Sequence, residues 1–233
     1  WINQNFKNMN WQDECYLISK RKFRENGNII NVFSKNKGRV TGVVYGGNSR
    51  KIRNYLQLSN KLFVVHNSKN ENKLGYFKTE LVKPISPMYF NDKKRTSALI
   101  SLCALLNTLL PEDQPNQNIY KSYEKFINSI NLDNWIILYI FFELNLIKAL
   151  GYDPNIEKFK NNIFTSDLIK VIIDTYTYQV PEFLISKKIP KDLSVQLIKK
   201  SLYFTRNIIQ NRFFLPNNLI FPQSRILLES YFS

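Results

Sequence analysis

The sequence predicts an α+β protein in which a small five-stranded β-barrel is followed by an all-helical domain. Apolar residues alternate with a period of two, or form short runs, as far as Lys83, and they follow a helical period after Pro87. Charge divides the chain at the same place, because residues 1–84 contain 16 basic and 5 acidic side chains while residues 85–233 contain 17 and 13. The length of 233 residues is enough for two separate cores.

Five segments of the first region are rich in β-branched and aromatic residues, which favour strands. The predicted strands are Cys15–Phe23, Asn28–Ser34, Arg39–Tyr45, Leu56–Val65 and Leu74–Val82. Turn residues separate them, and Pro84 ends the last one because proline has no amide hydrogen to donate. Five strands are too few for an immunoglobulin-like sandwich and are typical of the OB-fold barrel.

The second region is predicted to contain helices only, with no strand between them. The predicted helices are Lys93–Leu110, Asn118–Ile130, Asn134–Leu150, Asp167–Tyr176, Lys191–Arg212 and Ser224–Phe232. We therefore expect an OB-fold domain over residues 11–84 and a helical domain over residues 85–233. Residues 1–10 are a possible N-terminal extension, because Met9 is a plausible initiator.

The residues that most catalytic and metal sites require are scarce. Cys15, Cys103 and His66 are the only cysteines and histidine, which excludes a disulfide framework, a cysteine-based zinc motif and any cluster of histidines. The phosphate-loop pattern GxxxxGK[ST] does not occur. The longest apolar run, Trp135–Phe142, is too short to span a bilayer. We expect a cytoplasmic protein with no membrane segment, catalytic residue, metal or cofactor.

The excess of positive charge in the first region predicts a surface for the phosphate backbone of a nucleic acid. The candidate DNA-binding residues are Lys20, Arg21, Lys22, Arg24, Lys35, Lys37, Arg39, Arg50, Lys51 and Arg53, which we expect to form one continuous surface. The alternative is an ordinary solvated face. Base stacking could involve Tyr16, Phe23, Phe33 and Tyr45, although each fits the core better.

A second candidate site lies on the long helix predicted near the end of the chain. Lys199, Lys200 and Arg206 stand beside apolar residues there, as in a groove that binds an acidic, hydrophobic peptide. The alternative is ordinary helix packing, in which the aliphatic stems of basic side chains cover apolar surface.

Several short motifs occur in the order that is typical of one known family. They are Trp11-Gln12-Asp13-Glu14, Gly38-Arg39, Gly46-Gly47-Asn48-Ser49-Arg50-Lys51, Leu56-Gln57, Phe142-Glu143-Leu144, Leu150-Gly151-Tyr152, Phe204-Thr205-Arg206 and Ser224-Arg225. On this combination the chain resembles the RecO family of recombination mediators. It departs from that family in three ways, since Cys15 stands where a glycine is common, residues 153–190 lack the four cysteines of a zinc module, and Phe141 stands where an arginine is common.

The resemblance implies a protein of DNA repair and homologous recombination that is not an enzyme. Such a protein binds single- and double-stranded DNA, anneals strands coated with single-stranded DNA-binding protein, and with RecR assists the loading of RecA. The resemblance also implies that the helical domain binds the acidic C-terminal tail of single-stranded DNA-binding protein. The alternatives are another OB-fold protein that binds RNA, or a nuclease.

Overall fold

A computed structural model describes residues 10–47, 49–68, 74–159, 167–190 and 193–232. The chain forms two compact units, the first ending at Tyr120 and the second beginning at Lys121. Apart from Asn10, the possible N-terminal extension lies outside the described residues.

The first unit contains a closed five-stranded barrel, which confirms the predicted OB-type architecture. Its strands are β1 (Trp11–Phe23), β2 (Gly27–Ser34), β3 (Gly38–Tyr45), β4 (Lys61–Asn67) and β5 (Tyr76–Lys83). They are connected in the order β1-β2-β3-β5-β4, and β5 closes the barrel through a parallel pairing of Val43 with Tyr76. The other neighbouring strands pair antiparallel.

Alternate side chains of the strands fill the barrel. The buried cluster consists of Cys15, Leu17, Ile30, Val32, Val40, Val44, Leu56, Leu62, Val64 and Phe77. Gly42 belongs to the same interior, and a Cβ atom at this position would lie 2.6 Å from the ring of Phe77. The aromatic ring therefore fits only because residue 42 has no side chain.

Gly42→Ala is expected to lower the free energy of unfolding by about 1 to 3 kcal/mol, because the Phe77 ring must move within a packed core. The matched control is Thr41→Ala, on the opposite face of β3, which should cost less than about 1 kcal/mol. Chemical denaturation measures both variants, and equal losses would show that the close approach at Gly42 is easily relieved.

A helix that the sequence analysis missed, α1 (Arg50–Tyr55), lies between β3 and β4. The Ser49 hydroxyl accepts a hydrogen bond from the amide of Ile52, which is the usual way in which serine caps a helix. The prediction that a strand begins at Leu56 is wrong, because the Leu56 amide still donates to the Ile52 carbonyl and β4 begins at Lys61.

The first unit continues past the last barrel strand. After a 3-10 turn at Ser86–Tyr89, α2 (Lys93–Leu109) begins at Asp92, whose carboxylate caps the amide of Arg95. Cys103 on this helix lies 3.1 Å from the Ser59 hydroxyl and contacts the barrel. The predicted boundary near Pro84 thus marks the end of the strands, whereas the compact unit extends to Tyr120.

The remaining helices are α3 (Gln117–Ser129), α4 (Trp135–Ala149), α5 (Glu182–Ser186), α6 (Val195–Ile209) and α7 (Gln223–Ser230). Short 3-10 turns lie at Ile156–Phe159 and Leu215–Asn217, and a π-helical turn at Gln210–Phe214 follows α6. The predicted start of the α6 helix at Lys191 lies outside the described residues, and the described helix is capped by Ser194.

The second unit is not all-helical, and the predicted helix Asp167–Tyr176 is wrong. This segment begins a hairpin of β6 (Leu168–Ile173) and β7 (Tyr176–Pro181). Val171 and Ile173 are buried while Ile172 between them is 65% exposed, which is the period of a strand. Asp174 forms the turn with a φ of 55°.

A fully buried ion pair connects α4, α6 and α7. The Arg225 Nε atom donates to Glu143 at 2.6 Å, and the Thr205 hydroxyl donates to the same carboxylate at 2.5 Å. Arg225 also donates to the Leu202 carbonyl at 2.7 Å. Burial alone would lower the pKa of Arg225, but the Glu143 carboxylate outweighs it and raises this pKa, so the arginine stays charged.

Candidate nucleic-acid interface

One end of the barrel collects positively charged residues from two chain segments. The register places Phe23 opposite Gly27, and Gly27 opposite Tyr45, so the β1–β2 turn lies beside the end of β3 that leads into α1. The exposed side chains at this end, which we call the α1-end cations, are Lys22, Arg24, Arg50, Lys51 and Arg53. They all belong to the set predicted from the sequence.

Lys20 has a structural partner at this end of the barrel. Its ammonium donates a hydrogen bond of 2.6 Å to the carbonyl of Leu56, at the C-terminal end of α1. Partial burial, together with the nearby Arg53, lowers the pKa of Lys20. Lys20 thus stabilises the position of α1, and its predicted contact with DNA stays a prediction.

Three other predicted residues lie at the opposite end of the barrel from the α1-end cations. Lys35 and Lys37 lie in the β2–β3 turn, and the Arg39 Nε atom donates to the Leu110 carbonyl at 2.8 Å. The eight residues of β2 separate this end from the other by about 23 Å, which exceeds the Debye length of about 8 Å at physiological salt. Arg21, next to Lys22 on β1, lines one groove together with Arg39, so the continuity of the predicted basic surface stays a prediction.

The four aromatic candidates differ in accessibility. Tyr16 and Phe33 are buried and pack against Tyr120, as the core interpretation predicted. Tyr45 is 63% exposed at the end of β3, so the core interpretation is wrong for this residue. Phe23 is half-buried and stacks under the Arg24 guanidinium. Tyr45 can thus offer a ring to a base beside the α1-end cations.

A groove lies on the outer face of β1, β2 and β3, with a volume of about 470 Å³. Its lining residues are Ser19, Arg21, Ile29, Asn31, Arg39, Thr41, Leu74, Asn107 and Glu112. Of these, Arg21 and Arg39 were predicted from the sequence. Asn107 and Glu112 could not be, because they follow the barrel in the chain and no motif marks them. An isolated backbone bridge between Arg39 and Glu112 holds the segment that contains Glu112 against β3.

Two family models match the chain, and together they cover both of its regions. The model of the recombination protein O N terminus matches residues 9–85, and the model of the recombination protein O C terminus matches residues 91–203. The chain belongs to the RecO family. Among its relatives in that family are proteins named DNA repair protein RecO from three bacteria.

The relative from Wolbachia sp. subsp. Drosophila simulans is 27% identical to this chain over 95% of it and over the whole of the relative. The relative from Ehrlichia chaffeensis is 32% identical over 64% of this chain and 62% of its own length. The relative from Ruegeria sp. is 29% identical over 69% of this chain and 67% of its own length.

Residues of the motifs on which the resemblance rested have structural roles in the barrel. Asp13 accepts a hydrogen bond from the Ser34 hydroxyl at 2.5 Å, and Glu14 forms an ion pair with Lys61 at 2.9 Å. Both acids lie within β1, although the sequence analysis placed them before the first strand. Ser49 caps α1, whereas Asn48 of the same motif lies outside the described residues.

The candidate peptide-binding residues of the RecO helical region differ in their partners. The Arg206 Nε atom forms an ion pair of 2.9 Å with Glu229, and its guanidinium stacks on Tyr203. Lys199 is exposed and Lys200 is half-buried. Arg206 is therefore part of the helix packing, and the predicted docking of an acidic peptide stays a prediction.

The described part of the chain contains no group of three or more His, Cys, Asp or Glu side chains that could hold a metal ion. No helix within the same residues is long and apolar enough to cross a membrane.

Proposed function

We propose that this RecO-family chain binds single- and double-stranded DNA through its barrel and acts as a recombination mediator. The observation that carries this proposal is the set of five exposed α1-end cations, which two chain segments bring to one end of the barrel. Glu25 lies in the same turn, but the set keeps a net positive charge. Flexible cationic side chains suit contacts with phosphates of any sequence.

The mediator role requires no catalytic group. Two DNA strands repel each other, and a basic surface that binds both lowers this repulsion while weak phosphate contacts let the strands find their register. We propose that the chain anneals strands coated with single-stranded DNA-binding protein in the cytoplasm, and with RecR assists the loading of RecA. It would do so without cleaving DNA and without a cofactor.

The proposed docking of the acidic tail of single-stranded DNA-binding protein has support from one face of α6. Val195, Lys199 and Tyr203 are spaced by four residues and are all exposed, so they form an apolar stripe with a positive charge at its centre. An acidic peptide with apolar residues would complement this stripe.

Equilibrium binding to three labelled probes of one sequence tests the function. We expect this chain to bind single-stranded and duplex DNA, with affinity that falls as salt increases, and to leave both intact in the presence of magnesium or manganese. A clear preference for structured RNA would favour the RNA-binding alternative. Cleavage of DNA by highly purified protein would instead favour a nuclease.

A further inference from the structure

The groove on the outer face of β1, β2 and β3 differs in charge between its two ends. Arg21 pairs with Ile29 near one end of β2, whereas Arg39 pairs with Phe33 near the other end. The backbone bridge to Arg39 places Glu112 at this second end. The rise of a strand puts about 13 Å between Ile29 and Phe33 on β2, and thus between the two ends of the groove.

The two ends also differ in which charged side chains already form hydrogen bonds within the protein. Arg39 donates to the Leu110 carbonyl, so this guanidinium is partly committed within the protein. Within the described part of the chain, no hydrogen bond or ion pair of the Arg21 or Glu112 side chain is observed. The groove therefore offers one uncommitted cation and, at the opposite end, one uncommitted carboxylate.

The lining between these ends suits a nucleobase better than a phosphate. Ile29 and Leu74 supply apolar surface, while Ser19 and Thr41 supply hydroxyl groups. The Glu112 carboxylate offsets the positive charge of Arg39 at its end of the groove, and a carboxylate is a good acceptor for the exocyclic amino group of a base such as cytosine. Thymine has a carbonyl oxygen at the corresponding position, which a carboxylate disfavours.

We propose that this groove binds one unpaired nucleotide of single-stranded DNA. Arg21 contacts its phosphate, and Glu112 accepts a hydrogen bond from the exocyclic amino group of its base. The groove therefore favours cytosine over thymine, and it does not accept a duplex, whose bases are stacked and paired inside the double helix and cannot enter the groove singly. This inference rests on the proposed DNA-binding function and adds to it the form of DNA and a base preference.

The first test compares oligo-dC and oligo-dT of about 20 nucleotides, long enough to fill an OB-fold site, at slightly alkaline pH. We expect the wild-type protein to bind oligo-dC about tenfold more tightly than oligo-dT. Glu112→Ala should bring the ratio of these two affinities close to one. Glu80→Ala removes an exposed acid from β5 of the same barrel and should keep the wild-type ratio.

A wild-type ratio near one, or a ratio that Glu112→Ala leaves unchanged, would overturn the inference while DNA binding itself stands. If the wild-type protein binds neither oligonucleotide, the proposed function fails and this inference fails with it.

The second test locates the bound DNA strand with a cysteine at residue 41, a side chain small enough to leave the groove open. Both native cysteines, Cys15 and Cys103, are buried, so a thiol reagent should modify only the introduced side chain of Thr41→Cys. Oligo-dC should slow this modification several-fold while a duplex leaves it unchanged. The control is Thr177→Cys, at an exposed position of β7, where neither DNA should protect. Equal protection of residue 41 by the duplex, or none by oligo-dC, would contradict the assignment.

Discussion

Arg225→Met is expected to lower the free energy of unfolding by about 3 to 5 kcal/mol, because it leaves the Glu143 carboxylate buried without its cation. Both side chains of this pair are fully buried, so water cannot replace the lost partner. Urea denaturation followed by circular dichroism measures the loss. The double variant Glu143→Leu with Arg225→Met removes both charges and should recover a large part of it.

The matched control is Arg212→Met, in the same unit. Arg212 forms an ion pair with Asp174, but both side chains are well exposed, so the change should cost less than about 1 kcal/mol. Similar losses for the two arginine variants, or a double variant as unstable as Arg225→Met, would contradict the role assigned to the buried pair.

A triple variant that changes Arg50, Lys51 and Arg53 to alanine is expected to weaken DNA binding by one to two orders of magnitude at low salt. Each lost phosphate contact reduces the slope of log K against log salt by about 0.7 to 0.9, so we expect a total reduction of about two to three. Alanine favours helices, so α1 should remain folded. Fluorescence anisotropy at several salt concentrations gives both quantities.

The control for this variant removes the same number of charges elsewhere. Lys121, Lys125 and Lys170 are exposed, and their replacement by alanine should change the slope much less. Equal effects of the two triple variants would mean that DNA responds to total charge rather than to the α1-end cations.

The barrel could be predicted because its strands are alternating or short apolar segments separated by turn residues, whereas the β6–β7 hairpin could not. The run from Leu168 to Ile173 is short and apolar, and such runs fit a strand or a buried helix equally well. Its turn uses Asp174 with a positive φ instead of an Asn-Gly or Asp-Gly pair. The helix α1 was missed because its cap, Ser49, directly follows a glycine-rich turn.

The positive charge of the candidate site could be predicted, but not the position of each residue. A bulge between Leu17 and Ser19 shifts the register of β1, so Lys20 pairs with the core residue Ile30 and its ammonium reaches the Leu56 carbonyl, although the side chain stays exposed. Glu112 joins the groove through a tertiary contact that no local pattern encodes.

The most direct test of the proposed mediator function is the annealing of two complementary strands coated with the cognate single-stranded DNA-binding protein. We expect the wild-type chain to accelerate annealing and the Arg50, Lys51 and Arg53 triple variant to lose most of that acceleration. A wild-type chain that binds DNA but leaves the annealing rate of coated strands unchanged would contradict the account.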